Sequence, residues 1–280
     1  MENNDRIREM TSNNNIFLLK LGGSLLTDKS NPLSLRKEVI KNVIQQIINA
    51  NKKLILIHGG GSFGHPLAKK YKISNGLNAS ISNQVFGLTE THQAMNRLNS
   101  YLINLFLEMK YPALSIQPSS IFIQDFKNIL IQSIDVIETT LDLNILPILY
   151  GDIILDKRGS FSIISGDQII FKLCENLKKY TISKVVFALE IDGIFIKDKT
   201  HDQENIKLAT EINISQLDNL ELADLGEKID VTGGIRGKIN SIKKISEYNI
   251  PIQLVNGLKE GYIFKSLNNK KIKSTNIIIN

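Results

Sequence analysis

Short apolar runs alternate with longer segments of helical periodicity along most of this chain. From Ile16 onward the apolar runs are IFLLKL, KLILIH, ALSIQ, ILPILYGD and KVVFAL. Between them, apolar residues recur every three or four positions near 34–50, 83–108, 134–143 and 167–177, which is the spacing of one helix face. Buried strands that alternate with helices predict an α/β fold, an open αβα sandwich with a mainly parallel central sheet.

Residues 1–14 are polar and unpatterned and predict a flexible N-terminal arm. The chain has 280 residues, of which 42% are hydrophobic, enough for one large domain or two fused lobes. No window approaches the roughly 18 uninterrupted apolar residues of a membrane span, and the first residues lack the apolar stretch of a signal peptide. We therefore expect a cytoplasmic protein with no membrane partner. The single cysteine, Cys174, is predicted to be a buried packing thiol.

The net charge of +6 favours an anionic partner, either nucleic acid or a phosphorylated metabolite. Nucleic-acid binders concentrate their basic residues in stripes with stacking aromatics between them, whereas here the basic residues are dispersed and Trp is absent. We therefore expect no nucleic-acid partner. The cluster Lys270, Lys271 and Lys273 is predicted to be a solvated face.

Glycine clusters occur where predicted strands end or predicted helices begin. They are Gly22-Gly23-Ser24, Gly59-Gly60-Gly61-Ser62-Phe63-Gly64-His65, Ser165-Gly166-Asp167 and Thr232-Gly233-Gly234. Such loops let backbone N–H groups converge on an anion at a helix N-terminus, although any one of them could simply reverse the chain. In parallel sheets, ligands bind at the carboxyl ends of the strands. Four clusters together predict phosphate binding, and the absence of GxxxxGK[ST] and GxGxxG argues against P-loop kinases and Rossmann dehydrogenases.

Three lysines near these clusters could stabilise a phosphoryl group during transfer: Lys20, Lys29 and Lys238. For Lys29 and Lys238 the alternative is a solvated surface position, but Lys20 interrupts an apolar strand and needs a partner. Asp167 could hold the lysines in place, or it could be a helix N-cap. His65 could donate to a phosphate oxygen near neutral pH, or it could be a structural histidine.

The remaining histidines and one apolar stripe are not predicted to carry chemistry. His58 is expected to be structural, and His92 and His201 to be surface or packing residues. Leu88, Met95, Leu98 and Leu102 form a stripe that is expected to be core, the alternative being a pocket for a prenyl tail.

Several motifs together resemble the amino acid kinase superfamily and, within it, the archaeal-type isopentenyl phosphate kinases. The resemblance runs from about Ile16 to Leu267. Its carriers are KLGGSLLTDK (20–29), HGGGSFGHPLAKKY (58–71), SIQPSS (115–120), GD (151–152), IISGDQI (163–169), DG (192–193) and VTGGIRGK (231–238). The glycine-lysine opening is shared across the superfamily, whereas GGGSFGH marks the branch of isopentenyl phosphate and fosfomycin kinases.

The resemblance implies transfer of the ATP γ-phosphate to isopentenyl phosphate in a homodimer. It also implies Mg²⁺ held by ATP phosphates and water, with no metal ligand from the protein. Within one continuous fold, the N-terminal lobe 15–155 would bind the phosphate acceptor and the C-terminal lobe 156–280 the nucleotide.

The resemblance also assigns roles to individual residues. Lys29 corresponds to the lysine that stabilises the transition state, and Asp167 to the acid that organises the catalytic lysines Lys20 and Lys238. The acceptor phosphate would bind at Gly60, His65 and Gly166. The nucleotide would bind at Lys20, Leu21, Gly22, Gly23, Ser24, Gly61, Asp192, Gly234 and Lys238.

One departure from the family pattern falls near the expected nucleotide site. This chain reads Leu189-Glu190-Ile191-Asp192-Gly193 where relatives commonly read Thr-Asp-Val-Asp-Gly. Two alternatives to the main reading stay open, a fosfomycin-type or other small-acid kinase and a non-catalytic nucleotide-binding regulator. All three candidate lysines remain, which weighs against the regulator.

Overall fold

A computed structural model of the chain describes residues 14–28, 30–198, 205–223 and 231–279. Apart from Asn14, the predicted arm lies outside these ranges, as do Lys29 and His201. The α-helices are α1 Gly23–Leu26, α2 Lys37–Ala50, α3 Gly61–Lys70, α4 Gln84–Glu108, α5 Pro118–Ile121, α6 Asp135–Asp142, α7 Gly166–Asn176, α8 Val231–Ser246 and α9 Tyr262–Leu267. The 3₁₀ helices are Ile73–Asn75 and Ile214–Asn219.

The strands of the described ranges form one large sheet and two small ones. They are β1 Asn15–Leu21, β2 Leu54–His58, β3 Ala113–Ser115, β4 Phe122–Asp125, β5 Asn128–Ile131, β6 Leu146–Tyr150, β7 Asp152–Asp156, β8 Ser160–Ile164, β9 Thr181–Leu189, β10 Phe195–Asp198, β11 Asn205–Leu208, β12 Glu211–Asn213, β13 Ile252–Asn256 and β14 Thr275–Ile278. The large sheet has the order β12-β14-β13-β9-β1-β2-β6-β3, and its pairs are parallel except β13 with β14. The prediction of a mainly parallel α/β sheet is confirmed.

Helices cover both faces of this sheet, and alternate side chains of β1 face different helices. Ile16 and Leu18 pack with α7 and α8, whereas Phe17 and Leu19 pack with α2 and α9. Because successive side chains of a strand point to opposite faces, Lys20 points to the same face as Ile16 and Leu18. The buried lysine is thereby directed at α7 and α8.

The strand pairing joins the two predicted lobes. β1 lies between β2 and β9, so strands from 15–155 and 156–280 share one sheet. At its carboxyl end, Leu21 stands opposite His58 of β2 and Ala188 of β9. The residues that follow these three strands therefore meet at one edge.

The helices near 34–50, 83–108, 134–143 and 167–177 are confirmed as α2, α4, α6 and α7. The single run ILPILYGD is a correction, because it divides at Gly151 into β6 and β7, which belong to different sheets. The small sheets β5-β4-β7-β8 and β10-β11 were not predicted. Their strands are four or five residues long by these bounds, too short for apolar alternation to distinguish them from loops.

Two glycine clusters lie wholly or partly inside helices rather than in loops before them. α8 begins at Val231, so Thr232-Gly233-Gly234 belongs to its first turn, and α3 begins at Gly61, which places His65 within a helix. Glycine allows a turn but does not enforce one, so a glycine cluster alone does not determine where a helix begins.

The burial of the single cysteine and the exposure of the C-terminal lysine cluster were also predicted. Cys174 is buried as predicted, and burial raises the pKa of its thiol to about 12. Lys270, Lys271 and Lys273 are exposed as predicted. No helix within the described ranges has both the length and the apolar character needed to cross a bilayer.

Candidate active site

A cavity of about 350 Å³ lies at the carboxyl ends of β1, β2, β6 and β9. Gly22 follows β1, Gly59 follows β2, Gly151 follows β6 and Glu190 follows β9, and all four line the cavity. The other lining residues are Lys20, Gly23, Ser24, Gly60, Gly61, Gly64, His65, Ala68, Thr91, Met95, Asp152, Ile153, Ile163, Ile164, Ser165, Gly166, Asp167, Leu189, Ile191 and Lys238. Three of the glycine clusters thus meet in one place.

Lys20, Asp167 and Lys238 form a buried ionic triad on one wall. The Nζ of Lys20 binds Oδ1 of Asp167, and the Nζ of Lys238 lies 3.4 Å from Oδ2. Both ammonium groups also lie over the ring of Phe187, at 5.9 and 4.9 Å from its centroid. The partner that Lys20 requires is therefore Asp167. Two cations share one carboxylate, which leaves this wall with an excess positive charge.

The pKa values of the triad follow from burial and mutual charge. Burial opposes ionisation of Asp167, but the ammonium groups of Lys20 and Lys238 hold its pKa below the usual value. Burial, aided by the charge of Lys20, lowers the pKa of Lys238 to about 7, while Asp167 acts in the opposite direction. A polyanion placed beside Lys238 would favour its charged form.

Ser165, rather than Asp167, is the N-cap of α7. The Oγ of Ser165 accepts from the N–H of Gln168 at 3.2 Å, and Oε1 of Gln168 accepts from the N–H of Ser165 at 2.8 Å. The N-cap alternative for Asp167 is therefore wrong, and its carboxylate is available to the lysines. A Cβ on Gly166 would lie 3.1 Å from Cε of Lys20, so a glycine here gives the lysine room to reach Asp167.

The first two glycine clusters pack backbone to backbone. A Cβ on Gly59 would lie 2.8 Å from the backbone nitrogen of Gly23, and one on Gly23 would overlap the backbone of Gly61. Gly61 has φ +47°, in the left-handed region that favours glycine. The Oγ1 of Thr27 accepts from the N–H of Ser62 and donates to the carbonyl of Gly23, both at 2.9 Å. Thr27 thus ties the two clusters together.

The segment that follows Thr27 is also tied to α3. Pro66 has no N–H to offer the carbonyl four residues earlier, and that carbonyl, of Ser62, accepts from the N–H of Leu33 at 3.3 Å. Lys29 belongs to this segment but lies outside the described residues, so its catalytic role stays a prediction.

His65, Gly60 and Gly166, the predicted acceptor residues, all line the cavity. The His65 side chain is on an exposed position of α3. Gly60 and Gly64 let α3 approach α4, since a Cβ on either would lie 2.9 Å from Sδ of Met95. His65 and the triad therefore line the same cavity.

Apolar side chains also line this cavity. Those away from the end of β9, called here the apolar wall, are Ala68, Met95, Ile153, Ile163 and Ile164. Leu98 and Leu102 of the predicted stripe are core, as expected, and Leu88 is partly buried against Ile73, Ile153 and Phe161. Met95 is buried in the core as expected, and it also lines the cavity.

His92 belongs to a polar network that the sequence analysis missed. Its Nδ1 lies 2.7 Å from Oδ1 of Asp152, and its Nε2 lies 2.9 Å from Nδ2 of Asn96. The hydroxyl of Tyr150 donates to Asn96, and the N–H of Ser119 donates to Asp152 at 3.3 Å. The i, i+4 spacing of His92 and Asn96 on a helix was the available signal.

His58 is structural, as predicted. It is fully buried, its ring stacks on Tyr150 at a centroid distance of 5.4 Å, and burial lowers its pKa to about 4. The imidazole is therefore neutral at physiological pH and packs beneath the glycine loop.

Leu21 and Asp192, two of the residues predicted to bind the nucleotide, are not among the described residues that line the cavity. Leu21 is buried in the core, and Gly234 belongs to α8, where its predicted contact stays a prediction. Asp192 is held elsewhere, with its carboxylate 2.7 Å from Nζ of Lys259, 3.4 Å from Nζ of Lys273 and 3.0 Å from Nδ2 of Asn256. The Asp192 carboxylate thus has protein partners, and its predicted nucleotide contact stays a prediction.

Comparison with known proteins places these features in a family. A family model described as the amino acid kinase family matches residues 15–256. The chain belongs to the amino acid kinase family. Within this family it is 38% identical over 262 residues to a protein of Methanocaldococcus jannaschii named isopentenyl phosphate kinase, covering 90% of this chain and 95% of that protein.

Two further similarities involve proteins with the same name. A Methanothermobacter thermautotrophicus isopentenyl phosphate kinase is 31% identical over 269 residues, covering 94% of this chain and 98% of that protein. A solved isopentenyl phosphate kinase structure superposes with a TM-score of 0.77 at 28% identity, covering 94% of this chain and 100% of that one.

Proposed function

We propose that this chain transfers the γ-phosphate of ATP to isopentenyl phosphate, giving isopentenyl diphosphate and ADP. The observation that carries the proposal is a single cavity with a cationic, glycine-lined wall and an apolar wall, with His65 among its lining residues. An alkyl phosphate needs both surfaces, one for its charge and one for its hydrocarbon chain. Relatives of this chain named isopentenyl phosphate kinase support the same reading.

In this proposal the ATP phosphates contact the triad and the first glycine clusters. Gly23, Ser24 and Gly61 offer backbone N–H groups, Gly22 lines the wall beside them, and Lys20 and Lys238 offer charge. Most of the lobe 15–155 would then serve the acceptor and the lobe 156–280 the nucleotide, with the triad joining them. The nucleotide contacts of Leu21, Asp192 and Gly234 stay predictions.

The acceptor would bind with its phosphate at Gly60, His65 and Gly166. Its hydrocarbon chain would lie against Met95 and the isoleucines of the apolar wall. A phosphonate or amino acid with a polar body would leave that wall without an apolar partner, which makes a fosfomycin-type acceptor the poorer fit.

The chemistry requires one bond to form and one to break at the γ-phosphorus. An anionic oxygen of the acceptor phosphate bonds to it while the bond to the bridging oxygen of ADP breaks. Because that nucleophile already carries its charge, positioning and charge stabilisation can support the reaction without a general base. Lys20, Lys238 and, by prediction, Lys29 would stabilise the charge that develops on the transferred group.

Mg²⁺ fits this site as a companion of the nucleotide. Within the described residues no group of three His, Cys, Asp or Glu side chains could hold a metal ion, and the Asp167 carboxylate is bound to two lysines. ATP phosphates and water would hold the ion, which when bound offsets the charge of the β- and γ-oxygens. We also propose the homodimer that the resemblance implies, testable by light scattering on the purified protein.

The direct test is an assay of the purified protein with ATP and Mg²⁺ against a panel of acceptors. The panel contains isopentenyl phosphate, dimethylallyl phosphate, a short alkyl phosphate, fosfomycin and glutamate. We expect the prenyl phosphates to be the fastest acceptors. Faster turnover of fosfomycin or glutamate would refute the acceptor assignment, and nucleotide binding without transfer to any acceptor would favour a regulator.

A further inference from the structure

Arg36 and Glu190 form an ion pair at the edge of the cavity. A guanidinium nitrogen of Arg36 lies 2.9 Å from Oε1 of Glu190, and both side chains are partly exposed. Glu190 lines the cavity, whereas Arg36 stands behind it, immediately before α2. The pair joins two parts of the chain that meet only through the fold.

The position of Glu190 raises an electrostatic problem for the proposed function. The N–H of Gly22 donates to the carbonyl of Ala188 at 2.9 Å, which holds the end of β9 beside the first glycine cluster. Glu190 therefore shares a wall with Gly22, Gly23 and Ser24, where the nucleotide phosphates are proposed to bind. An unneutralised carboxylate there would repel a polyphosphate.

Arg36 is held in place to offset this charge. Its N–H donates to the carbonyl of Leu26 at 2.8 Å, and its carbonyl accepts from the N–H of Ile40 at 3.0 Å, which starts α2. Asp28 also lies within reach of its charge, but that carboxylate accepts from Ser30 and Asn31. Glu190 is the carboxylate that the guanidinium contacts.

We propose that Arg36 is a positioning residue for the nucleotide: by neutralising Glu190, it lets that wall of the cavity accept the phosphates of ATP. This inference rests on the proposed function. Arginine suits the role because its guanidinium stays charged at any physiological pH. The ion pair with Arg36 would explain how a glutamate can occupy a position that faces an anionic ligand.

The test is a double-mutant cycle on nucleotide affinity, read by calorimetry with a non-hydrolysable ATP analogue and with ADP in the presence of Mg²⁺. Arg36→Gln should weaken binding of the ATP analogue by about five- to tenfold, because Glu190 then acts unopposed. Glu190→Gln should not weaken it, and the double variant should return to within about twofold of wild type. The loss in Arg36→Gln should be smaller for ADP, which carries less charge, and smaller in high salt.

A matched control is Arg158→Gln, which breaks the 3.0 Å pair with Asp156 on the turn between β7 and β8, where neither residue lines the cavity. It should leave nucleotide affinity unchanged. Melting temperatures of all variants show whether each one folds. If Arg36→Gln does not fold, the affinity of Glu190→Gln for the ATP analogue tests the inference. Weaker binding by Glu190→Gln would mean that the carboxylate attracts the nucleotide, and this result would overturn the inference.

Two other results would also overturn it. Unchanged affinity in Arg36→Gln would mean that Glu190 does not act on the phosphates. A double variant as weak as Arg36→Gln would mean that the guanidinium acts independently of Glu190. Failure of the wild type to bind either nucleotide would instead refute the proposed function, and the acceptor panel has no bearing on this cycle.

Discussion

Gly23 and Gly61 meet backbone to backbone where β1 and β2 end. A Cβ on Gly23 would overlap the backbone nitrogen of Gly61, and Gly61 itself has φ +47°. The parallel register places Leu21 opposite His58, so the two glycine clusters leave the sheet side by side. The glycines are therefore needed for the close approach of two loops, whatever ligand they bind.

Gly23→Ala should separate these loops. We expect a loss of roughly 1–3 kcal/mol in the free energy of unfolding, as for other overpacked sites, and weaker binding of the ATP analogue. Gly237→Ala on α8 is the control, because no atom lies within 4 Å of the added Cβ. It should stabilise the protein by about 0.5–1 kcal/mol. Thermal melts and calorimetry measure both effects, and equal behaviour of the two variants would contradict the packing argument.

The lysines should matter for turnover and not for folding. Lys29→Ala and Lys238→Ala are each expected to lower kcat by roughly 10²-fold or more, as when a charge-stabilising donor is removed. Lys41→Ala, on an exposed position of α2, is the control and should turn over normally. Steady-state kinetics measure the turnover of each variant, and circular dichroism shows whether it folds. Near-normal turnover in both Lys29→Ala and Lys238→Ala would contradict the proposed role of these lysines in charge stabilisation.

Lys238 should couple nucleotide binding to proton uptake. Burial and the charge of Lys20 lower the pKa of Lys238 to about 7, so above that pH the free protein has largely lost this proton. A bound polyphosphate favours the charged form, so the proton must be regained on binding. Affinity for the ATP analogue should therefore fall as pH rises from about 7 to about 9.

Calorimetry at about pH 8 in two buffers of different ionisation enthalpy measures the number of protons taken up. Lys238→Arg should abolish this coupling, because the guanidinium stays protonated throughout. Equal proton uptake in the wild type and in Lys238→Arg would assign the proton to another group.

Local patterns predicted the elements and the ends of strands where the cavity lies. The apolar runs fixed β1 and β2, and a lysine inside an apolar strand required a buried partner, which is Asp167. Such inferences work because burial and strand alternation act over a few neighbouring residues.

Contacts between distant segments could not be predicted in this way. His92 reaches Asp152 only because α4 packs against β7, and Arg36 reaches Glu190 only because β1 lies beside β9. The contact of Asp192 with Lys259 likewise depends on where β13 ends. A single sequence shows which side chains can pair, but the strand order decides which ones do.

His65 distinguishes an alkyl phosphate kinase from a kinase of the wider family. If its ring nitrogen donates to the acceptor phosphate, His65→Ala should raise the acceptor KM by roughly tenfold or more and leave the KM for ATP nearly unchanged. His65→Gln should recover part of the loss, because the amide can still donate a hydrogen bond but carries no positive charge.

Lys69→Ala provides the control for His65, since Lys69 is exposed on the same helix and is not among the cavity-lining residues. It should leave both Michaelis constants unchanged. A purely structural His65 gives a different pattern, in which His65→Ala lowers the melting temperature but the folded enzyme keeps its acceptor KM. Comparison of His65→Ala with His65→Gln distinguishes the two roles. A partial rescue of the acceptor KM in His65→Gln, without a matching change in melting temperature, requires a hydrogen bond to the acceptor. An unchanged acceptor KM in both variants would remove the histidine from the proposed site and, with it, the main reason for preferring isopentenyl phosphate over other acceptors.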